Sequence, residues 1–151
     1  MIAVKNLTIA QGQFALRDVN LTIPRGEYGI LMGRTGCGKT TVLESICGLR
    51  SIRQGTITLD ERDVTKLKPA ERGIGYVPQD DALFKTMTVR DNLSFALDIR
   101  KWPRDRVSDR VGELAELLGV GPLLNRYPIG LSGGEARRVA LGRALAAHPP
   151  I

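Results

Sequence analysis

Gly33-Arg34-Thr35-Gly36-Cys37-Gly38-Lys39-Thr40-Thr41 sets a glycine, four residues and then Gly-Lys-Thr in one unbroken stretch. Backbone N–H groups wrap a phosphate only where the chain turns tightly. Glycines at 33, 36 and 38 permit the positive φ and close approach that such a turn needs. The turn feeds the N-terminus of a helix, whose unpaired N–H groups and dipole favour an anion. Lys39 is placed to reach the β- and γ-phosphates of a nucleotide, and the Thr40 hydroxyl to sit on Mg²⁺.

The flanks fit that reading. Residues 27–32, Glu-Tyr-Gly-Ile-Leu-Met, read as a short buried strand. Residues 40–49 read as a helix with Val42, Leu43, Ile46 and Cys47 on one face. Strand, loop, helix is the context that the P-loop spacing requires. Upstream, 1–7 and 16–23 alternate apolar and polar residues, the second better than the first, with a turn at Gln11-Gly12-Gln13. They read as antiparallel strands leading into the P-loop strand through Pro24-Arg25-Gly26. Downstream, Gly48 stops the helix, 55–60 is a strand candidate, and 74–77 is a short apolar strand closed by Pro78. The periodicity then turns helical. Thr88 and Asp91 cap a segment to Ile99 with Leu93, Ala96 and Leu97 inward. A further helix over 105–118 carries Val107, Val111, Leu114 and Leu118 at spacings of four, three and four.

The 151 residues suffice for one modest domain with a real core. Hydrophobic content of 42% and charged content of 25% are ordinary for a globular chain. The net charge is +6, but the basic residues are spread without a run of five, and aromatics are few. That pattern predicts a solvated basic surface rather than a nucleic-acid patch. Two cysteines, Cys37 and Cys47, form neither a disulfide framework nor a zinc pattern, and reduced thiols suit the cytosol. Met1-Ile2-Ala3-Val4-Lys5 lacks signal-peptide character. No apolar run approaches the roughly 20 residues of a spanning helix, so membrane association is expected to run through a partner.

A second motif, Leu131-Ser132-Gly133-Gly134-Glu135, opens the last helix, read over 135–147. Ser132 is a natural N-cap, and two glycines expose N–H groups at a helix N-terminus. Alone it is a helix cap; with the first loop it is a second phosphate-binding geometry. One phosphate cannot sit at both unless they meet across an interface.

Taken in order, 33–40, then Tyr76-Val77-Pro78-Gln79, then Leu131-Ser132-Gly133-Gly134-Glu135-Ala136-Arg137-Arg138-Val139-Ala140-Leu141 resemble the ATP-binding subunit of ABC transporters. The resemblance covers essentially the whole chain. Residues 26–49 and 73–79 look most like the importer subfamily that serves molybdate, tungstate, sugars and polyamines. The resemblance implies an α/β fold, a P-loop NTPase with an antiparallel β subdomain, a parallel core sheet and a helical subdomain. It divides the chain into 1–84, 85–130 and 131–151.

It also implies roles. Gly33, Arg34, Thr35, Gly36, Cys37, Gly38, Lys39, Thr40 and Thr41 would be the Walker A loop that holds ATP, with Lys39 acting in catalysis. Gln79 would be the Q-loop glutamine, touching Mg²⁺, which Thr40 also holds, or the attacking water. Ser132, Gly133, Gly134 and Glu135 would be the signature motif, covering the γ-phosphate held by a second subunit. The working form would be a head-to-tail dimer with two ATP at its interface, on the cytoplasmic face of the inner membrane. Residues 81–84 would lie near the docking groove for transmembrane permease subunits; helical-subdomain core is the equal alternative for Leu83 and Phe84.

Three departures from the family pattern stand out. Gln11 and Gly12 occupy the place of the aromatic residue that stacks on adenine; Phe14 is the nearest ring, and core packing explains it as well. Glu135 replaces the commoner glutamine. The chain stops at Ile151, where the Walker B strand with its Mg²⁺-binding aspartate and following catalytic glutamate would begin. His148 precedes that strand and reads as a solvated turn residue. Two other readings remain open on sequence grounds: a truncated nucleotide-binding module without effective hydrolysis, and a soluble ABC ATPase acting on nucleic acid or ribosomes. A missing strand would also expose a sheet edge and apolar surface.

Overall fold

The computed structural model describes residues 1–12 and 14–151, with Gln11 described by its backbone alone. The chain divides into two compact units, Met1–Ile74 and Gly75–Ile151.

The first unit is built on a four-stranded antiparallel sheet. Its strands are β1 (Ile2–Gln11), β2 (Phe14–Ile23), β3 (Gln54–Leu59) and β4 (Arg62–Asp63), in the order β2-β1-β3-β4. The imperfect alternation of β1 has a local cause. Asn6 takes φ +50°, and the register shifts beside it. One extra residue flips side-chain parity, so Val4 before the bulge and Leu7 and Ile9 after it are all buried. The Asn20 side chain fills the gap, accepting from the Asn6 amide at 2.8 Å and donating to Asp18. Buried Ile57 and Leu59 of β3 continue the same core. Each such side chain contributes about 1.5–3 kcal/mol.

Helix α1 (Lys39–Cys47) follows the glycine loop. Val42, Ile46 and Cys47 are buried as the periodicity predicts, but Leu43 is 46% exposed. Ser45 takes the inward place instead, its hydroxyl bonded to the Thr41 carbonyl at 2.8 Å. Gly48 stops the helix at φ +80°: its amide reaches the Ser45 carbonyl and the Leu49 amide the Glu44 carbonyl, a Schellman closure. Against that end lies Arg72, 8% exposed. Its Nη1 donates to the carbonyls of Ser45 and Ile46 at 2.8 and 2.9 Å, Nε to Leu67 and Nη2 to Thr65. One guanidinium closes a helix C-terminus, where a cation is favoured, and ties it to 65–67.

The second unit is helical, with α2 (Val89–Ile99), α3 (Arg104–Leu117) and α4 (Gly133–Leu145). The Thr88 side chain caps α2 reciprocally with Asp91. Val89 and Leu93 of α2, Val111 and Ala115 of α3 and Val139 of α4 meet in one core with Val120 and Leu123. Val107 and Leu118 pack at its margin. Leu97, Leu114 and Ala146 form a second cluster. Gly142 permits the close crossing of α2 and α4: a Cβ there would stand 2.6 Å from Leu93 Cδ2 and 2.8 Å from Leu118 Cδ1.

Two expected strands are not formed. Residues 27–32 and 74–77 carry no ladder among the described residues, and no parallel pairing occurs there. A parallel strand is built from neighbours on both sides and buried on both faces. Here Tyr28, Ile30 and Met32 are 87%, 73% and 83% exposed. The apolar run is present, but nothing among the described residues pairs with it. The turn read at Gln11-Gly12-Gln13 falls partly on Gln13, outside the described residues.

Candidate functional site: a glycine loop and two anchored segments

In the first unit, Gly33, Gly36 and Gly38 take φ of +155°, +82° and +96°. Gly38 is the N-cap of α1 and lies beneath two side chains. A Cβ at this position would meet Leu16 Cδ1 at 2.6 Å and the Phe14 ring tip at 2.9 Å. Both the backbone angle and the space therefore demand glycine. Phe14, half-buried on β2, packs on the loop itself. Among the described residues the amides of Gly36, Gly38, Lys39 and Thr40 donate to no protein acceptor. The loop thus presents successive N–H groups to an anion.

Lys39 Nζ bridges the loop, donating to the carbonyls of Gly33 and Arg34 at 2.8 Å each and lying 3.8 Å from Cys37 Sγ. The Cys37 amide closes a tight turn on the Arg34 carbonyl at 3.3 Å. Thr40 is exposed in the first turn of α1 and Thr41 half-buried. No group of three or more His, Cys, Asp or Glu that could hold a metal occurs among the described residues. The Thr40 hydroxyl is a hard oxygen of the kind Mg²⁺ takes, and such an ion draws its remaining ligands from phosphate and water. The donor set therefore fits nucleotide-borne Mg²⁺ rather than an all-protein cage.

In the second unit, Gln79 is exposed in a turn between Pro78 and the left-handed residues Asp81 (φ +58°) and Ala82 (φ +45°). Behind it, buried Asn92 of α2 shapes the loop, taking the Phe84 amide and donating to the carbonyls of Phe84, Met87 and Thr88. Leu83 packs against the helical core. Phe84, 37% exposed, leans on Phe95 with ring centroids 4.5 Å apart. His148 is exposed and stacks on Trp102.

The serine–glycine motif opens α4 two residues earlier than the periodicity predicts. Ser132 is the N-cap, and Gly133 and Gly134, both exposed, form the first turn. Glu135 is part of the cap: its Oε2 accepts from the Ser132 amide at 2.7 Å and from the Ser132 hydroxyl at 2.8 Å, while its own amide donates to Ser132 Oγ. These bonds, with Arg126 and Arg138 nearby, hold its carboxyl below the usual 4.5. A carboxylate depressed on folding adds stability above its unfolded value and loses it as pH falls through the folded one. NMR titration of the Glu135 carboxyl is therefore expected to give a midpoint below 4.5, which Ser132→Ala raises. An unshifted midpoint would refute the reciprocal cap.

Reading along the sequence gave no role to Arg72, Asn92, Arg137 or Arg143: Arg137 and Arg143 reach back 56 to 62 residues and Arg72 up to 27, while the Asn92 contacts, four to eight residues away, carry no spacing signal.

The family model described as ABC transporter matches residues 16–151. The molybdate/tungstate import ATP-binding protein WtpC of Thermococcus kodakarensis is 43% identical over all of this chain and 46% of its own length. The sulfate/thiosulfate import ATP-binding protein CysA of Nocardia farcinica is 46% identical with the same coverage. The chain thus spans about half the length of the curated relatives it matches. Among solved structures, an ATP-binding cassette captured as a dimer in a post-hydrolysis state with ADP and Pi superposes with a TM-score of 0.86. It shares 32% identity, over 99% of this chain and 71% of that one. The glycine loop, the Gln79 turn and the Ser132-capped helix therefore stand in a chain that belongs to the ABC transporter family.

Proposed function

We propose that this chain binds Mg·ATP on the 33–41 loop, and that the subunit of which it forms part hydrolyses ATP to drive import of an oxyanion. The observation that carries the reading is the loop: three positive-φ glycines, amides without protein acceptors, and Lys39 held across the mouth. Gly33 to Thr41 hold the phosphates, Lys39 neutralises charge on them, and Thr40 and Gln79 supply oxygens to the metal or to water. Ser132, Gly133, Gly134 and Glu135 form a cap whose free helix N-terminus faces the γ-phosphate of a second subunit. The dimeric cassette bound to ADP and Pi supports that arrangement. The named substrates of the relatives, molybdate, tungstate, sulfate and thiosulfate, support an oxyanion as cargo. No helix among the described residues is long and apolar enough to cross a membrane. The import named for the relatives supports permease subunits as partners at the cytoplasmic face.

The two cysteines give the test. Cys37 is exposed inside the loop, whereas Cys47 is buried. Burial pushes the Cys47 thiol up to about 11, although Arg72 pulls the other way. A thiol raised from 9.0 stays neutral and unreactive until pH climbs toward that value. Alkylation at neutral pH is expected to add one label per chain, at Cys37, and Mg·ATP to slow it at least tenfold. Equal labelling with and without nucleotide would remove the loop from the site. Uptake of radiolabelled sulfate or tungstate by vesicles carrying the complete transporter, abolished by Lys39→Ala, tests the transport half.

A further inference from the structure

Among the described residues the Gln79 side chain makes no hydrogen bond, yet the backbone on either side of it is held by one side chain. Nη1 of Arg137, on α4, donates to the Pro78 carbonyl at 2.8 Å and to Asp81 Oδ1 at 2.9 Å. Pro78 directly precedes Gln79 and Asp81 lies two residues beyond it, so a single nitrogen brackets the glutamine. Arg143, from the same helix, donates to the Ala82 carbonyl at 2.8 Å and the Asp81 carbonyl at 3.3 Å, and its guanidinium lies 5.0 Å from the Phe84 ring centroid. Among the described residues the segment so held has only its own turn bonds besides these: Asp81 and Ala82 are both left-handed, a conformation that non-glycine residues keep when their surroundings impose it.

We propose that Arg137 and Asp81 form a positioning pair for Gln79, tethering the 78–82 turn to the helix that begins at Ser132. Displacement of the N-terminal half of α4 then displaces Gln79. The two arginines divide the work. Arg143 is half-buried and fixes the far end of the turn against Phe84. The Arg137 side chain is 54% exposed and that of Asp81 21%, so their attraction is screened and graded by salt. The pair is the adjustable member. The functional half of this inference rests on the role given to Gln79 above; the tether itself does not.

Hydrogen exchange on the purified chain separates the two. The amides of Asp81 and Ala82 are bonded within the turn, to the carbonyls of Pro78 and Asp80 at 3.2 and 2.7 Å. Arg137→Gln is expected to speed their exchange about three- to tenfold, with α2 and α3 unchanged. Asp81→Asn should do the same, and the reversed pair Asp81→Arg with Arg137→Asp should recover only the part due to the ion pair, since an aspartate at 137 cannot donate to the Pro78 carbonyl. Unchanged exchange in Arg137→Gln, a rise spread through all three helices, or no recovery in the reversed pair would each overturn the tether. In the assembled transporter, Arg137→Gln should lower kcat for ATP several-fold at unchanged KM, since the 33–41 loop is untouched. Wild-type kcat in that variant would overturn the positioning role. Absence of ATP turnover in the wild-type assembly would instead refute the proposed function and leave the exchange result standing.

Discussion

Lys39→Ala is expected to lose about 10- to 100-fold in Mg·ATP affinity while keeping its fold. A hydrogen bond to a charged group is worth about 1.5–3 kcal/mol, and each 1.4 kcal/mol is about tenfold in affinity. Nζ spans the loop between the Gly33 and Arg34 carbonyls, 2.8 Å from each. Truncation therefore removes the strut that spaces the loop and, on the proposed function, the phosphate's counter-charge. The stability cost stays small because both residues are exposed, and water replaces the lost donor. Titration calorimetry reads the affinity directly. A thermal shift checks it: ligand at about 100 times Kd stabilises the wild type by about 2.7 kcal/mol, and the variant by far less at the same concentration. Wild-type affinity in Lys39→Ala would place the nucleotide elsewhere.

Arg72→Ala is expected to destabilise the first unit by about 2–4 kcal/mol. The guanidinium is almost wholly buried and serves four carbonyls, from Ser45, Ile46, Thr65 and Leu67. Removing it strands acceptors in the interior, which costs about 1–3 kcal/mol for each one that water cannot reach, and opens a void. Arg72→Lys keeps the charge but not the fork, so it recovers only part of the loss. Gly48→Ala should destabilise in the same sense, because a Cβ there would stand 2.6 Å from Arg72 Nε. Denaturant unfolding followed by far-UV circular dichroism gives the midpoints. An unshifted midpoint in Arg72→Ala would mean that solvent satisfies the helix end unaided. The effect extends to the proposed nucleotide site, since the helix closed by Arg72 at one end begins with Lys39 at the other.

The elements legible in the sequence were those whose information is local. Thr88 with Asp91 and Ser132 with Glu135 each pair a cap with a carboxylate three residues on; both caps are found, although α4 starts directly after Ser132 rather than at Glu135. The glycine loop is legible for the same reason: spacing alone sets its backbone. Residues 27–32 and 74–77 misled because a strand is defined by its neighbour, and composition does not record whether a neighbour exists. Leu43 misled because Ser45, bonded back to Thr41, holds the buried place in α1. The arginines were invisible for a further reason. Arg72 reaches back 26 and 27 residues to α1, and Arg137 reaches back 56 to Asp81. In the sequence Arg72 is one among 22 basic residues with nothing to distinguish it, and Arg137 stands in the stretch that carries the family resemblance with nothing to show its partner.

The strand order also has a consequence in time. β1 pairs on one side with β2, which follows it at once, and on the other with β3, where Ile2 meets Leu59. The hairpin closes a short loop and forms early; the β1–β3 ladder must wait for most of the first unit to be synthesised. During that wait the Val4–Leu7–Ile9 face has no partner from β3, and the free edge of β1 is open to pairing with other chains. The bulge at Asn6 interrupts that edge and makes it a poor template for a straight incoming strand. The irregularity that blurs the pattern of β1 thus also guards the nascent chain while its second neighbour is still being made.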